Sequence, residues 1–167
     1  MFTQTQIRTY LELTMEQARK TLEHGNYPIG SLIVNSEGTI LTQDSNQCST
    51  YHDVTAHAEM ISIGNAGDRV FKHVNLNHFL FSSLEPCYGC SFFIARTNIT
   101  TVYFALKDPH KGGISDLKLN PEFESYFSKI ELSCEPFDDL REESRALMKQ
   151  YFLNIGKLES ARSYGYI

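Results

Sequence analysis

The chain has 167 residues and a formal net charge of −5, with 41% hydrophobic residues, which is enough for one full core without disulfide staples. The acidic balance argues against broad electrostatic adhesion to nucleic acid or to an anionic membrane. No apolar run approaches transmembrane length and the stretch from Met1 to Tyr10 is polar, so the expected location is cytoplasmic, and the four cysteines read as thiols or metal ligands.

Ile7, Leu11, Met15, Ala18 and Leu22 recur at helical spacing and predict an amphipathic helix that stops at His24-Gly25. Ser31 to Val34 and Thr39 to Thr42, joined by Ser36-Glu37-Gly38, predict an antiparallel hairpin. Gln43 to Val54 reads as a polar loop carrying Asn46. Ala56, Met60 and Ile63, with a stop at Gly64 or Gly67, predict a second helix with His57 and Glu59 in its first turn. His78 to Ser82 predicts a strand, and Pro86 suits the first turn of a helix over Cys87 to Thr97. Thr100 to Ala105 reads as a central strand covered on both faces. A loop over Lys107 to Gly113, a short helix over Glu122 to Phe127 and a weak strand over Lys129 to Leu132 follow. Twenty-two residues separate Leu106 from Lys129, which suits a crossover to a parallel strand. Asp138 is expected to cap a last helix with Leu140, Leu147, Met148, Tyr151, Phe152 and Ile155 on its apolar face, before a polar tail over 157–167. The predicted class is α/β, a three-layer α/β/α sandwich around a five-stranded mixed sheet.

The chemistry concentrates in Thr55-Ala56-His57-Ala58-Glu59 and Glu85-Pro86-Cys87-Tyr88-Gly89-Cys90. Cys87 and Cys90, at i and i+3 of a helix start, share one face, and a helix N-terminus favours their thiolates. His57 adds a nitrogen, which gives three metal ligands; three protein ligands mark a catalytic zinc site, four a structural one. Glu59 sits where it can carry protons without binding the metal. His-x-Glu followed by Pro-Cys-x-x-Cys is the signature of zinc deaminases acting on cytosine or adenine. The alternative is a structural zinc knuckle in a non-catalytic interaction module, which needs a fourth ligand from Cys48, Cys134, His52 or another side chain and leaves Glu59 idle. Cys48 and Cys134 otherwise read as small core or loop residues, and His24, His73 and His78 as surface or core histidines. His52 and His110 lie on loops that can face the site, and Arg96, Lys107, Lys111 and Lys118 are candidates for a local basic patch.

With these residues placed, the sequence resembles the cytidine and deoxycytidylate deaminase superfamily, in the branch of tRNA adenosine deaminase, bacterial guanine deaminase and fungal cytosine deaminase. The matching pieces are Tyr27-Pro28-Ile29-Gly30, Asn46, Asp53 to Glu59, Leu84 to Cys90 and Lys107-Asp108. The resemblance implies a zinc-dependent deaminase domain over 1–156 that removes an exocyclic amine hydrolytically. It implies zinc on His57, Cys87 and Cys90, and Glu59 as the catalytic proton carrier. It implies substrate contacts from Asn46, Asp108, Ala58, Leu84 and Glu85, the last two through their backbone, and a homodimer. Three departures stand out: Val54 where a proline is common, the Phe92-Phe93 pair after the second cysteine, and no basic C-terminal segment. The last of these, with the acidic charge, favours a free nucleobase or nucleoside, guanine-like or cytosine-like, over the alternative of a tRNA adenosine. Tyr164 and Tyr166 in the tail are then candidates for an active-site lid.

Overall fold

The computed structural model describes residues 2–71, 76–109 and 112–167. His73, His110 and Lys111, singled out above, lie outside the described residues.

Helix α1 (Gln4–Glu23) starts in a capping box: the Thr3 hydroxyl accepts from Gln6 N–H and the Gln6 side chain accepts from Thr3 N–H. The hairpin forms as β1 (Gly30–Asn35) and β2 (Ile40–Ser45), followed by β3 (His78–Ser82), β4 (Ile99–Phe104) and β5 (Glu131–Cys134). The sheet order is β2-β1-β3-β4-β5. β1 runs antiparallel to both β2 and β3, while β3–β4 and β4–β5 are parallel. This is the predicted mixed sheet, including the parallel crossover to β5. Side chains alternate with the pleat. Leu32, Val34, Phe81 and Tyr103 meet Ile7, Leu11 and Met15 of α1 on one face. Ile33, Leu80, Val102 and Phe104 meet Ala66, Ile94 and Ile114 on the other.

α1 and α7 (Asp138–Asn154) form one outer layer, joined by Arg8–Asp139 and Arg19–Glu143 ion pairs on the surface. The opposite layer holds α3 (Ala58–Ala66) and α4 (Tyr88–Ile94). Gly30 makes the first contact between layers close. A Cβ there would lie 2.1 Å from the Thr14 carbonyl oxygen and 2.7 Å from Gln17 Cβ.

Several boundaries differ from expectation. The 43–54 loop contains a short helix, α2 (Cys48–Tyr51), ended by His52 in a left-handed conformation at φ 52°. α5 (Ile114–Leu119) falls in the crossover ahead of α6 (Glu124–Phe127), and only the second of these was expected. The strand expected at Lys129 is shifted to Glu131. Pro86 precedes α4 rather than opening its first turn, because Cys87 is extended and takes the N-cap position. Asp138 is the first residue of α7, whose N-cap is Phe137; its charge still suits the helix start. The tail is not structureless: α8 (Leu158–Ser163) packs Ala161 against Phe152 and Tyr151. No described helix is long and apolar enough to cross a membrane.

Candidate active site

Two helix starts and the end of β3 converge. His57 is the N-cap residue of α3 and Cys87 that of α4, both in extended conformation. Glu59 and Cys90 lie in the first turn of the respective helices. The loop before His57 is held by Asp53, whose carboxylate accepts from Thr55 N–H at 2.8 Å and Thr55 Oγ1 at 2.7 Å. Val54 is 86% exposed and carries none of this, so the missing proline is compensated by Asp53.

His57 Nδ1 lies 3.6 Å from Cys87 Sγ and 3.4 Å from Cys90 Sγ. Zinc bonds of about 2.0 Å to nitrogen and 2.3 Å to sulfur, at the tetrahedral angle, give a nitrogen–sulfur edge of about 3.5 Å. The donor set therefore fits zinc in both type and spacing. Among the described residues it is the only group of three or more such donors within reach of one ion. Cys48 is half-buried, Cys134 and His52 are exposed, and none joins the group. A four-ligand knuckle is thus not formed among the described residues. Cys90 hydrogen-bonds Cys87, the main reason that the Cys87 thiol is pulled down to about 4, and the same bond pushes Cys90 up. A bound cation would favour the thiolate form of both sulfurs.

Glu59 is 3% exposed. Ser82 Oγ donates to its Oε1 at 3.0 Å, and Cys90 Sγ donates to its Oε2 at 3.6 Å. Burial, more than any charge, pushes its carboxyl above the ordinary carboxylate range. It stands beside the donor triad without belonging to it.

A cavity of about 180 Å³ opens over this floor, lined by His57, Glu59, Cys87, Asn46, Leu84, Glu85 and Asp108. Tyr27, Ile29, Cys48, Met148, Phe152, Tyr164 and Tyr166 complete its walls. Asn46 is 2% exposed, and its Oδ1 is taken by Cys48 N–H at 3.1 Å. Its Nδ2 has only the weak Cys48 sulfur at 3.5 Å, so it remains a donor for a ring acceptor. Ala58 is fully buried, and its neighbours rather than Ala58 line the cavity. Phe92 packs on Phe123 and Phe127 while Phe93 is 51% exposed, so this pair does not narrow the cavity. Lys118 spends its ammonium on the Phe127 and Ile130 carbonyls and is no part of a patch.

Tyr27, Ile29, Cys48, Met148 and Phe152 were not expected in the site. Tyr27 and Ile29 sit in a stretch that was recognisable, whereas Met148 and Phe152 look like ordinary core positions of a helix face.

The cytidine and deoxycytidylate deaminase zinc-binding region matches residues 4–106. The chain belongs to the cytidine and deoxycytidylate deaminase family. Among curated proteins, it is 30% identical to a tRNA-specific adenosine deaminase of Agrobacterium fabrum, over 86% of this chain and 91% of that protein. It is 29% identical to one of Bacillus subtilis, over 94% and 95%. A structure from a study of A-to-I editing by tRNA deaminases at the wobble position matches with a TM-score of 0.68 and 26% identity, over 84% of this chain and 99% of that one. A guanine deaminase from Nitrosomonas europaea shares the fold, with a TM-score of 0.67 at 15% identity over 85% of this chain and 82% of that one.

These comparisons overturn the expectation of a free guanine-like or cytosine-like ring as the substrate. The family's chemistry stands: a zinc-dependent hydrolytic deaminase. The curated relatives above, which align along most of the chain, are named for tRNA adenosine, and the likeness to the Nitrosomonas guanine deaminase is one of fold. The physical reason for the error is that net charge averages over a surface of which a base pocket is a small part.

Proposed function

We propose that this deaminase acts on an adenosine of tRNA, flipped out of its loop into the cavity. The observation that carries the reading is the site itself: a catalytic-type zinc triad and a buried carboxylate at the floor of one cavity. Full-length similarity to tRNA-specific adenosine deaminases supports the choice of ring and polymer. A loop base is already partly unstacked, so extruding it costs little.

In this reading His57, Cys87 and Cys90 hold the zinc, which supplies a Lewis acid that acidifies water. Glu59, buried and adjacent, takes one proton from the attacking water and delivers it to the ring nitrogen, where it stays, and then carries the proton of the new hydroxyl to the leaving amine. The C6–O bond forms, the C6–N bond breaks, ammonia leaves and inosine remains. Asn46 Nδ2 donates to a ring acceptor, and Asp108 and the backbone of Leu84 and Glu85 face the substrate from the rim. The tail over 157–167 supplies one wall through Tyr164 and Tyr166, held by the Arg145 bond to the Gly165 carbonyl at 2.9 Å. We further infer that the chain pairs as a homodimer.

The test is an anticodon stem-loop RNA with a wobble adenosine, assayed beside guanine, cytosine and adenosine. Inosine in the RNA digest is expected. Ammonia from guanine or cytosine with no inosine in the RNA would sink the reading.

A further inference from the structure

We propose that Glu85 is a positioning residue that straps the loop carrying Asp108 onto the start of the zinc-binding helix. The strap deepens the deaminase reading of the same site, on which its kinetic consequences rest.

Glu85 is 3% exposed and lies outside the metal-donor group. Both of its carboxylate oxygens are committed to backbone, one in the loop after β4 and one in the first turn of α5. Oε2 accepts from Asp108 N–H at 3.3 Å and Oε1 accepts from Ser115 N–H at 3.0 Å. Its own N–H donates to the Leu106 carbonyl at 2.8 Å. Two further ties run in parallel. Gly113 N–H donates to the Pro86 carbonyl at 2.9 Å, and Cys87 pairs with Gly112 in an isolated antiparallel bridge. The loop is therefore annealed along 85–87, the segment that ends in a zinc ligand.

The fit leaves no space between loop and carboxylate. A Cβ on Gly112 would lie 2.3 Å from Glu85 Oε2 and 2.6 Å from the Asp108 carbonyl oxygen. A Cβ on Gly113 would lie 2.2 Å from the Tyr88 nitrogen. Two glycines in succession let the backbone lie flat on the Glu85 side chain. Asp108 lines the same cavity as His57 and Glu59. A Glu85 oxygen holds its backbone N–H while Tyr166 hydrogen-bonds its side chain, so Glu85 anchors the backbone from which the Asp108 carboxylate reaches the cavity. Each Glu85 oxygen accepts one backbone N–H, which is the arrangement of a positioning residue. Glutamine keeps one acceptor there and turns an N–H toward the other amide. Alanine removes both acceptors.

The experiment uses the full-length zinc-loaded protein as wild type, Glu85→Gln, Glu85→Ala, Gly112→Ala and the Glu85→Gln/Gly112→Ala double variant. Hydrogen exchange over residues 104–118 should speed up on the order of tenfold in Glu85→Gln, as loss of a buried bond to a charged group implies, and further in Glu85→Ala. Exchange elsewhere and zinc content should not change. On the stem-loop RNA, KM should rise on the order of tenfold while kcat stays within about threefold, because positioning rather than chemistry is lost. Gly112→Ala should mimic Glu85→Gln, and the double variant should be no worse than either, since one strap is broken twice. Unchanged exchange in Glu85→Gln, additive effects in the double variant, or zinc loss in Glu85→Gln would each overturn the strap. If the wild type itself leaves the RNA untouched, the substrate reading fails, and the exchange and zinc measurements still decide the strap.

Discussion

Replacing Glu59 and replacing Cys87 separates catalysis from metal binding. Glu59→Ala removes a buried carboxylate that is not a donor to the ion, so zinc should remain at about one per chain while turnover falls by about 10³-fold, within the range of lost general acid–base catalysis. Cys87→Ser removes a donor, so zinc should be lost and thermal stability with it, because metal binding is coupled to folding. Metal analysis and thermal melts on the same preparations check both, and retained activity in Glu59→Ala contradicts the proton-carrier role. At this scale the sequence is most legible where chemistry is local. Cys87 and Cys90 are three residues apart at a helix start, which brings them to one face, and Glu59 follows the His57 N-cap within the same first turn. The commitments of Asn46 Oδ1 to the Cys48 amide and of Glu85 to Asp108 and Ser115 are not legible. The Glu85 partners lie more than twenty residues away and on backbone, which no side-chain motif records.

Elements with strong periodic patterns fall where expected, as in α1 and β3, because their burial is written into their own residues. α5 and α8, of six residues each, are missed because so short a helix is stable only through what it packs on. α8 is the clearer case: its sequence, Leu158-Glu-Ser-Ala-Arg-Ser163, reads as polar, and one fully buried residue, Ala161, docks it on Phe152. Two predictions belong here. Gly30→Ala drives a methyl into the Thr14 carbonyl of α1, a backbone atom that cannot rotate away, so it should destabilise the fold by about 3 kcal/mol in urea melts. A variant within about 0.5 kcal/mol of wild type would mean that α1 can slide on the sheet. Removing residues 157–167 takes Tyr164 and Tyr166 out of the cavity wall. Zinc content should hold and KM for the RNA should rise by about tenfold, as expected when a pre-formed wall is lost. An unchanged KM would show that the tail is no part of substrate binding.

For the molecule as a whole, two properties remain to be read from outside the site. Phe93 at 51% and Tyr88 at 46% exposure are large aromatic residues on α4, and Val54 at 86% is another exposed apolar side chain, a surface that suits a second copy of the chain. Light scattering at micromolar concentration should give twice the chain mass, 38 kDa from two chains of 19.1 kDa, and a monomer would remove the dimer. Net charge misled most, because it is a sum over 167 residues while recognition of one base is not. An acidic chain that binds RNA must do so with few phosphate contacts. Beside Asp108 a polar cleft offers Lys107 and Arg145, set among Asp116 and Glu135, as its cations among the described residues. Arg145 already donates to the Gly165 carbonyl. Two phosphate contacts to single-stranded RNA predict a slope of log affinity against log salt of about −1.4. Binding titrations of the stem-loop between low and physiological salt, made with the Glu59→Ala variant so that the substrate persists, measure that slope directly. A slope steeper than about −4 would require about six phosphates and hence a basic surface that the cleft does not supply. A shallow slope would mean that affinity resides in the flipped base and its apolar walls.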